Sequence, residues 1–354
     1  MRLFREMLPN HRQYPRRFDI LVVDEAHNVA PSGTGRYATE SQRTKAIRTL
    51  YPHFEHHLFL TATPHNGYKE SFTSLLELVD DQRFARGIEI NKKQLGQVMV
   101  RRLKTEIVDE NGDPVFPPRE IKAIKVDYDQ TERQVHKWLR EYSRKRETSI
   151  DRNNRVATEF VLKLLKKRLF SSPAAFLRTL QKHEETLTKG PQEETKSRRL
   201  SKGILTRQID RVTEETYDDD DEYEDDTDAA VEQASKYYSP LSPGEKDLLD
   251  KMKKWASQAK AGLDCKTTHF INWLENTLRP SGEWSEDRLI IFTEYRTTQN
   301  WLYGVLAHRG LCEYDRVMML YGGMDKDERK RIQAAFQADP QKSPVRILIA
   351  TDAA

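Results

Sequence analysis

Short apolar runs without polar alternation punctuate this chain, and each gives way to polar residues at its carboxyl end. Ile20-Leu21-Val22-Val23 runs into Asp24-Glu25-Ala26-His27, and Leu58-Phe59-Leu60 runs into Thr61-Ala62-Thr63-Pro64. Further along, Leu289-Ile290-Ile291-Phe292 precedes Thr293-Glu294-Tyr295, and Val345-Arg346-Ile347-Leu348-Ile349 lies close to Ala354. The first two runs predict strands buried on both faces, the kind found in parallel sheets covered by helices. Between the last two, Gln299 to His308 and Asp325 to Phe336 have helical periodicity, so strand and helix alternate and a parallel α/β sheet is expected. The middle of the chain is helical in pattern, with Val161, Leu162, Leu165 and Leu169 on one side and Lys163, Lys166, Lys167 and Arg168 elsewhere.

The acids after the first run point to chemistry. Ligands of open α/β sheets bind outside the carboxyl ends of the strands, where two adjacent carboxylates can divide two tasks. Asp24 can hold Mg²⁺ through its water shell, while Glu25 orients or deprotonates an attacking water, the arrangement of a nucleotide hydrolase. A solvated strand end produces the same pair of acids with no function, so the pair alone is weak. Thr61-Ala62-Thr63, followed by His65-Asn66-Gly67, adds a second polar strand end in a fixed order after the first.

With both motifs in this order the chain resembles the Swi/Snf-type translocases of helicase superfamily 2, particularly the RapA/HepA-like branch. Met99 to Glu106, Phe116-Pro117-Pro118-Arg119-Glu120 and Ile121 to Val126 are similar to the segment closing the family's first lobe. Leu165 to Pro173 resembles the helical segment after it, and Asp264-Cys265-Lys266 the entry to the second lobe. Arg288 to Tyr295, Tyr321-Gly322-Gly323-Met324 with Glu328-Arg329, and Ile347 to Ala354 resemble successive second-lobe motifs. Asp24 to Pro31 and Pro64 to Gly67 look most like the helicase-like component of the DISARM antiphage system. The resemblance implies two RecA-like parallel-sheet lobes, both partial, joined by a helical insertion. It implies ATP and Mg²⁺, double-stranded DNA as the track, and defence-system or transcription-related proteins as partners. His27 with Thr61 and Thr63 would couple nucleotide state to nucleic-acid grip, and Arg101, Arg102, Lys166, Lys167 and Arg168 are candidate DNA contacts. Strand separation is not implied.

No Gly-Lys-Ser/Thr phosphate loop occurs in the sequence, although such a hydrolase needs one to cradle phosphates on backbone N–H groups. The chain is therefore expected to be an internal piece of a longer reading frame, and poorly active in ATP hydrolysis by itself. The expected organisation is 1–126 as the rear of the first lobe, 127–262 as helical insertion and linker, and 263–354 as the front of the second lobe.

Charge adds one feature that the net value of +3 conceals. Arg133 to Arg211 carries 21 Lys and Arg against 9 Asp and Glu, a face able to contact phosphates, whereas Val212 to Asp228 holds 11 acids and no base. That acidic run, near 212–230, is expected to be disordered, because it has little apolar surface to bury. Two cysteines, Cys265 and Cys312, have neither pairing nor metal-ligand spacing and suggest a reducing compartment. With no apolar run of about 20 residues and no secretory signal, a cytoplasmic protein without membrane contact is expected. His53, His56 and His57 crowd together without a Cys or carboxylate partner, which makes them a polar approach to a strand rather than a zinc site. The competing reading is a non-catalytic DNA-binding or assembly module.

Overall fold

The computed structural model describes residues 18–30, 42–64, 69–148, 155–188, 198–214 and 217–351. The architecture is mixed α/β, as expected: two short parallel sheets and many helices. The chain divides into two compact units, 1–122 and 123–354, so the helical segment and the second sheet share one unit. His65, Asn66, Gly67 and residues 352–354 lie outside the described residues.

In the first unit, β1 (Phe18–Val23) pairs in parallel with β2 (Phe54–Phe59), with Val22 opposite Leu58 and Val23 opposite Phe59. Helices α1 (Gln42–Leu50) and α2 (Lys69–Val79) supply Ile47, Leu75 and Leu78 to a core that takes in Val23, Leu21 and Phe59. A shorter helix, α3 (Lys92–Val98), follows, capped by the Asn91 side chain on Lys93 N–H. β1 was expected to be buried on both faces and is not: Phe18, Ile20 and Val22, together with Leu58 and Leu60, are exposed. The reason is the alternation of the pleat. Leu21, Val23 and Phe59 meet the helices, whereas on the other face no described element packs. The second strand also begins earlier than expected. His56 and His57 lie within β2, where His57 stacks on Tyr51 at 3.6 Å, while Leu60 to Pro64 is irregular.

Among the described residues, the second unit begins with six helices: α4 (Gln130–Thr148), α5 (Arg155–Ser171), α6 (Pro173–Thr188), α7 (Arg198–Glu214), α8 (Asp220–Ser235) and α9 (Pro243–Gly262). They share one apolar core that includes Val135, Leu139, Val161, Leu165, Phe176 and Met252. Local signals start them: Ser242 and Glu245 form a reciprocal capping box at α9, with Pro243 at the first helical position. α10 (Cys265–Leu278) follows, with Asp264 accepting Thr267 N–H at 2.9 Å. The sheet β3 (Leu289–Thr293), β4 (Val317–Leu320) and β5 (Ile347–Thr351) is wholly parallel, in the order β3-β5-β4. Its crossover helices are α11 (Arg296–His308) and α12 (Lys326–Gln337). α10 and α11 pack on one face through Ile271, Leu274 and Leu306, and α12 packs on the other through Ile332. β5, with helices on both sides, is buried throughout.

Asp220 to Asp228 of the acidic run contradict its expectation, because they form the first half of helix α8. Asp219 caps it by accepting Asp221 and Glu222 N–H, and Asp220, Asp221 and Glu222 occupy the first turn, where the helix dipole favours anions. Ala230, Val231 and Ala234, downstream of the charges, supply the apolar face. Cations from α6 and α7 offset the remaining charge. Arg178 meets Glu224 and Asp228, Arg211 meets Glu222 and Asp226, and Lys182 meets Glu232.

Candidate functional site

In the first unit the chain turns sharply after β1. Glu25 adopts a left-handed conformation at φ 47°, and its N–H is held by Asp24 Oδ1 at 2.8 Å. A single 3-10 turn, Ala26–Val29, follows, with Ala26 and Val29 buried. Leu60 N–H donates to Val23 O at 2.8 Å and Ala26 N–H donates to Leu60 O at 2.9 Å, so the pairing of the two strands continues into both loops. This backbone stitch places His27 beside the Thr61-Ala62-Thr63 segment. His27 Nδ1 lies 3.1 Å from Thr61 Oγ1, 3.5 Å from Thr63 Oγ1 and 3.2 Å from Glu25 Oε2. Thr61 Oγ1 also accepts Thr63 N–H at 3.1 Å.

One ring nitrogen thus faces two kinds of partner. The Glu25 carboxylate can only accept, so it requires a proton on Nδ1; the Thr61 hydroxyl can donate to the same nitrogen when that proton is absent. With that proton present the Thr61 hydroxyl can accept as well, so both contacts can be made at once. Asp24, Glu25, His27, Thr61 and Thr63 are all gathered at the carboxyl end of the β1–β2 pair. Asp24 and Glu25 are exposed, which leaves their carboxylates reachable by a hydrated cation and a polyanionic ligand, and an exposed strand-end carboxylate fits Mg²⁺ held through water. Arg101 and Arg102 lie in the same unit, on the exposed segment after α3.

The second unit separates the remaining candidates. Arg168 is not a DNA contact: its side chain is 1% exposed, paired with Glu224 at 3.4 Å and laid 3.6 Å over the Tyr295 ring. The helical period explains the correction, because Arg168 follows Leu165 and precedes Leu169 on the face that α5 turns inward. Lys167 points outward but is engaged by Glu294 at 3.1 Å. Lys166 is exposed and lines a cavity of about 920 Å³ between α4 and α5. Arg133, Lys137, Arg140 and Arg144 of α4 line the same cavity. Sequence reasoning counted these four within a basic stretch but did not single them out. Their spacing of four, three and four residues, one face of a helix, was the available signal.

Two carboxylates of α8 reach the carboxyl end of the second sheet. Asp220 Oδ2 accepts Gly322 N–H and the Thr351 hydroxyl, each at 2.6 Å. Glu224 accepts Thr297 N–H at 2.9 Å, the Thr297 hydroxyl at 2.6 Å, and hydrogen bonds from Arg168 and Arg178. Burial pushes the Glu224 carboxyl up, but Thr297, Arg168 and Arg178 outweigh it and hold the carboxyl below its ordinary value. Gly323, at φ +81°, is required here: a Cβ at this position would come 2.5 Å from Asp219 Oδ2.

Asp129, Glu132 and Cys265 bring potential ligand atoms within 4.8 Å of one another. Their hydrogen bonds argue against a cation. Asp129 accepts Glu132 N–H at 2.7 Å at the start of α4, and Glu132 accepts Cys265 N–H at 2.7 Å at the start of α10. Two helix N-termini therefore face the cluster, and their positive ends already stabilise the carboxylates.

No family model matches the chain, and no curated protein does. Among solved structures, the chain is similar to the helicase domain of Hef from Pyrococcus furiosus at 16% identity and a TM-score of 0.33, covering 95% of this chain and 61% of that one. The chain thus spans about three fifths of the length of that solved domain. No helix among the described residues is long and apolar enough to cross a membrane.

Proposed function

We propose that this chain is part of a helicase-like motor that hydrolyses ATP to move on duplex DNA, in the manner of the Swi/Snf-type translocases it resembles. The observation that supports this best is the His27 ring shared between Glu25 and Thr61 at the carboxyl end of a parallel strand pair. Glu25 is the base that takes a proton from the attacking water, and Asp24 would hold Mg²⁺. The bound ion would neutralise charge developing on the transferred phosphoryl group. Because His27 touches both the Glu25 carboxylate and the Thr61 hydroxyl, a change at Glu25 during hydrolysis would reach the Thr61–Thr63 segment through one ring. Antiphage defence is the setting the DISARM-like residues suggest.

The test uses the protein as it occurs in its own cell, isolated through a tag with whatever accompanies it. ATP turnover stimulated by duplex DNA is expected, and Glu25→Gln should lower it by at least about 10²-fold while nucleotide binding is retained, since the amide cannot accept a proton. A variant turning over at the parental rate would reject Glu25 as the base. Duplex binding with no nucleotide turnover would select the second reading, a non-catalytic DNA-binding module.

A further inference from the structure

Arg133, Lys137, Arg140 and Arg144 are exposed and form a single stripe along α4, which runs until Glu147 ends it. At 1.5 Å rise per residue the stripe is about 16 Å long. Like charges three or four residues apart repel, so the stripe costs helix stability instead of adding to it. Nearby acids do not relieve it: Glu141 is engaged by Lys145 at 3.0 Å, Glu159 by Arg155 at 2.7 Å, and Glu132 of α4 is buried and accepts Cys265 N–H at 2.7 Å. Across the cavity, α5 adds Lys163 and Lys166. Among the described residues, no carboxylate lies within ion-pair distance of the four α4 cations or of Lys166. An ordinary solvated helix face interleaves both signs, and these four positions do not.

Aromatic rings run along the same cavity. Tyr128 and His136 have ring centroids 5.2 Å apart, His136 and Phe170 5.1 Å, and about half of Phe170 remains exposed at the end of the row. Burial, then the neighbouring Arg140 and Lys166, hold His136 below its usual pKa, so at neutral pH it serves as an uncharged stacking ring.

We propose that the α4–α5 groove is a track for one strand of nucleic acid, with phosphates on the α4 stripe and Lys166 and an unstacked base against Phe170. A row of cations along a groove with an exposed aromatic face is the pattern that binds single strands without reading sequence. Bases stacked within a duplex offer Phe170 no face. The inference rests on the nucleic-acid reading given above and gives it a site in the helical segment, outside both sheets.

Fluorescence anisotropy of the full chain with labelled oligothymidylate, and with a duplex of equal length, tests it. The exposed pair Arg140→Glu with Lys166→Glu should weaken oligothymidylate binding at least about tenfold. It should also flatten the slope of log affinity against log salt by about 0.7 for each phosphate left without its cation. Phe170→Ala should weaken binding about fivefold or more, and should leave affinity for an abasic strand unchanged. Lys254→Glu, the same charge reversal on an exposed position of α9, should change nothing. Equal affinity in the parent and the Arg140/Lys166 variant, no oligothymidylate binding by the parent, or a weakening confined to the duplex would each overturn the proposal. Groove-dependent strand binding together with no nucleotide turnover in the tagged isolate from its own cell would leave the groove standing and reject the motor.

Discussion

Glu224→Ala is expected to destabilise the second unit by about 3–5 kcal/mol, the range measured when one partner of a buried ion pair is removed. Glu224 is 3% exposed and joins three elements: α5 through Arg168, α6 through Arg178, and the first turn of α11 through Thr297. Arg178 is partly exposed and keeps Asp228 when Glu224 is removed. Arg168 has no such escape, since its guanidinium is enclosed with the Tyr295 ring. The uncompensated buried charge, not the missing hydrogen bonds, is therefore the main cost. Removing that charge as well, in Arg168→Met with Glu224→Ala, should recover part of the stability and give a coupling of the opposite sign. All five tryptophans lie in this unit, so urea unfolding followed by their fluorescence reports on it directly. A change below about 1 kcal/mol would show that α8 is not welded to the sheet through Glu224, since most surface changes fall within about ±0.5 kcal/mol.

Acidification from pH 7 to pH 5 should weaken the same unit by about 2 kcal/mol through one buried residue, His183, at the linkage slope of about 1.4 kcal/mol per pH unit. The ring is fully enclosed, with Nε2 2.7 Å from the Tyr142 hydroxyl and Nδ1 2.7 Å from the Ser235 hydroxyl. Burial, and then the positive charge of Arg146, push its pKa down to about 3. The unfolded chain takes up that proton near pH 6.5. Between these values the unfolded state binds a proton that the native state refuses, so stability is fullest above about pH 6.5 and falls steadily below it. Glu224 acts in the same sense at lower pH, because its folded pKa is also depressed and its contribution fades as the carboxylate protonates. His183→Gln, which can still bond Tyr142 and Ser235, should flatten the dependence between about pH 6.5 and 5 even if it lowers stability at every pH. Parallel pH profiles for the parent and the variant would assign the acid sensitivity elsewhere.

The features legible in the sequence were those set by neighbours along the chain. Apolar runs marked β1, β3 and β5, because the hydrophobic period is local. Asp24-Glu25 after an apolar run marked a strand end with acids exposed, and the geometry there follows from the turn itself. The pairing of His27 with Thr61 depended on two strands lying side by side in parallel, which the residues alone suggested only through resemblance. Charge was where local reading failed. Asp218 to Glu222 has the composition of a disordered run, yet Arg178, Lys182 and Arg211, from other helices, pair with acids of α8 while Ala230, Val231 and Ala234 join it to the core. Arg168 and Lys166 look equivalent in a basic stretch, but a rotation of about 200° around α5 buries one and exposes the other. Exposure of Ile20 and Val22 likewise depended on what packs on each face of the sheet, not on β1 itself. Sequence determined where the apolar runs of β1, β3 and β5 lie and where polar groups emerge from them; only tertiary packing decided which charges are buried in pairs and which remain free to meet a ligand, because burial is a property of neighbours distant in the chain.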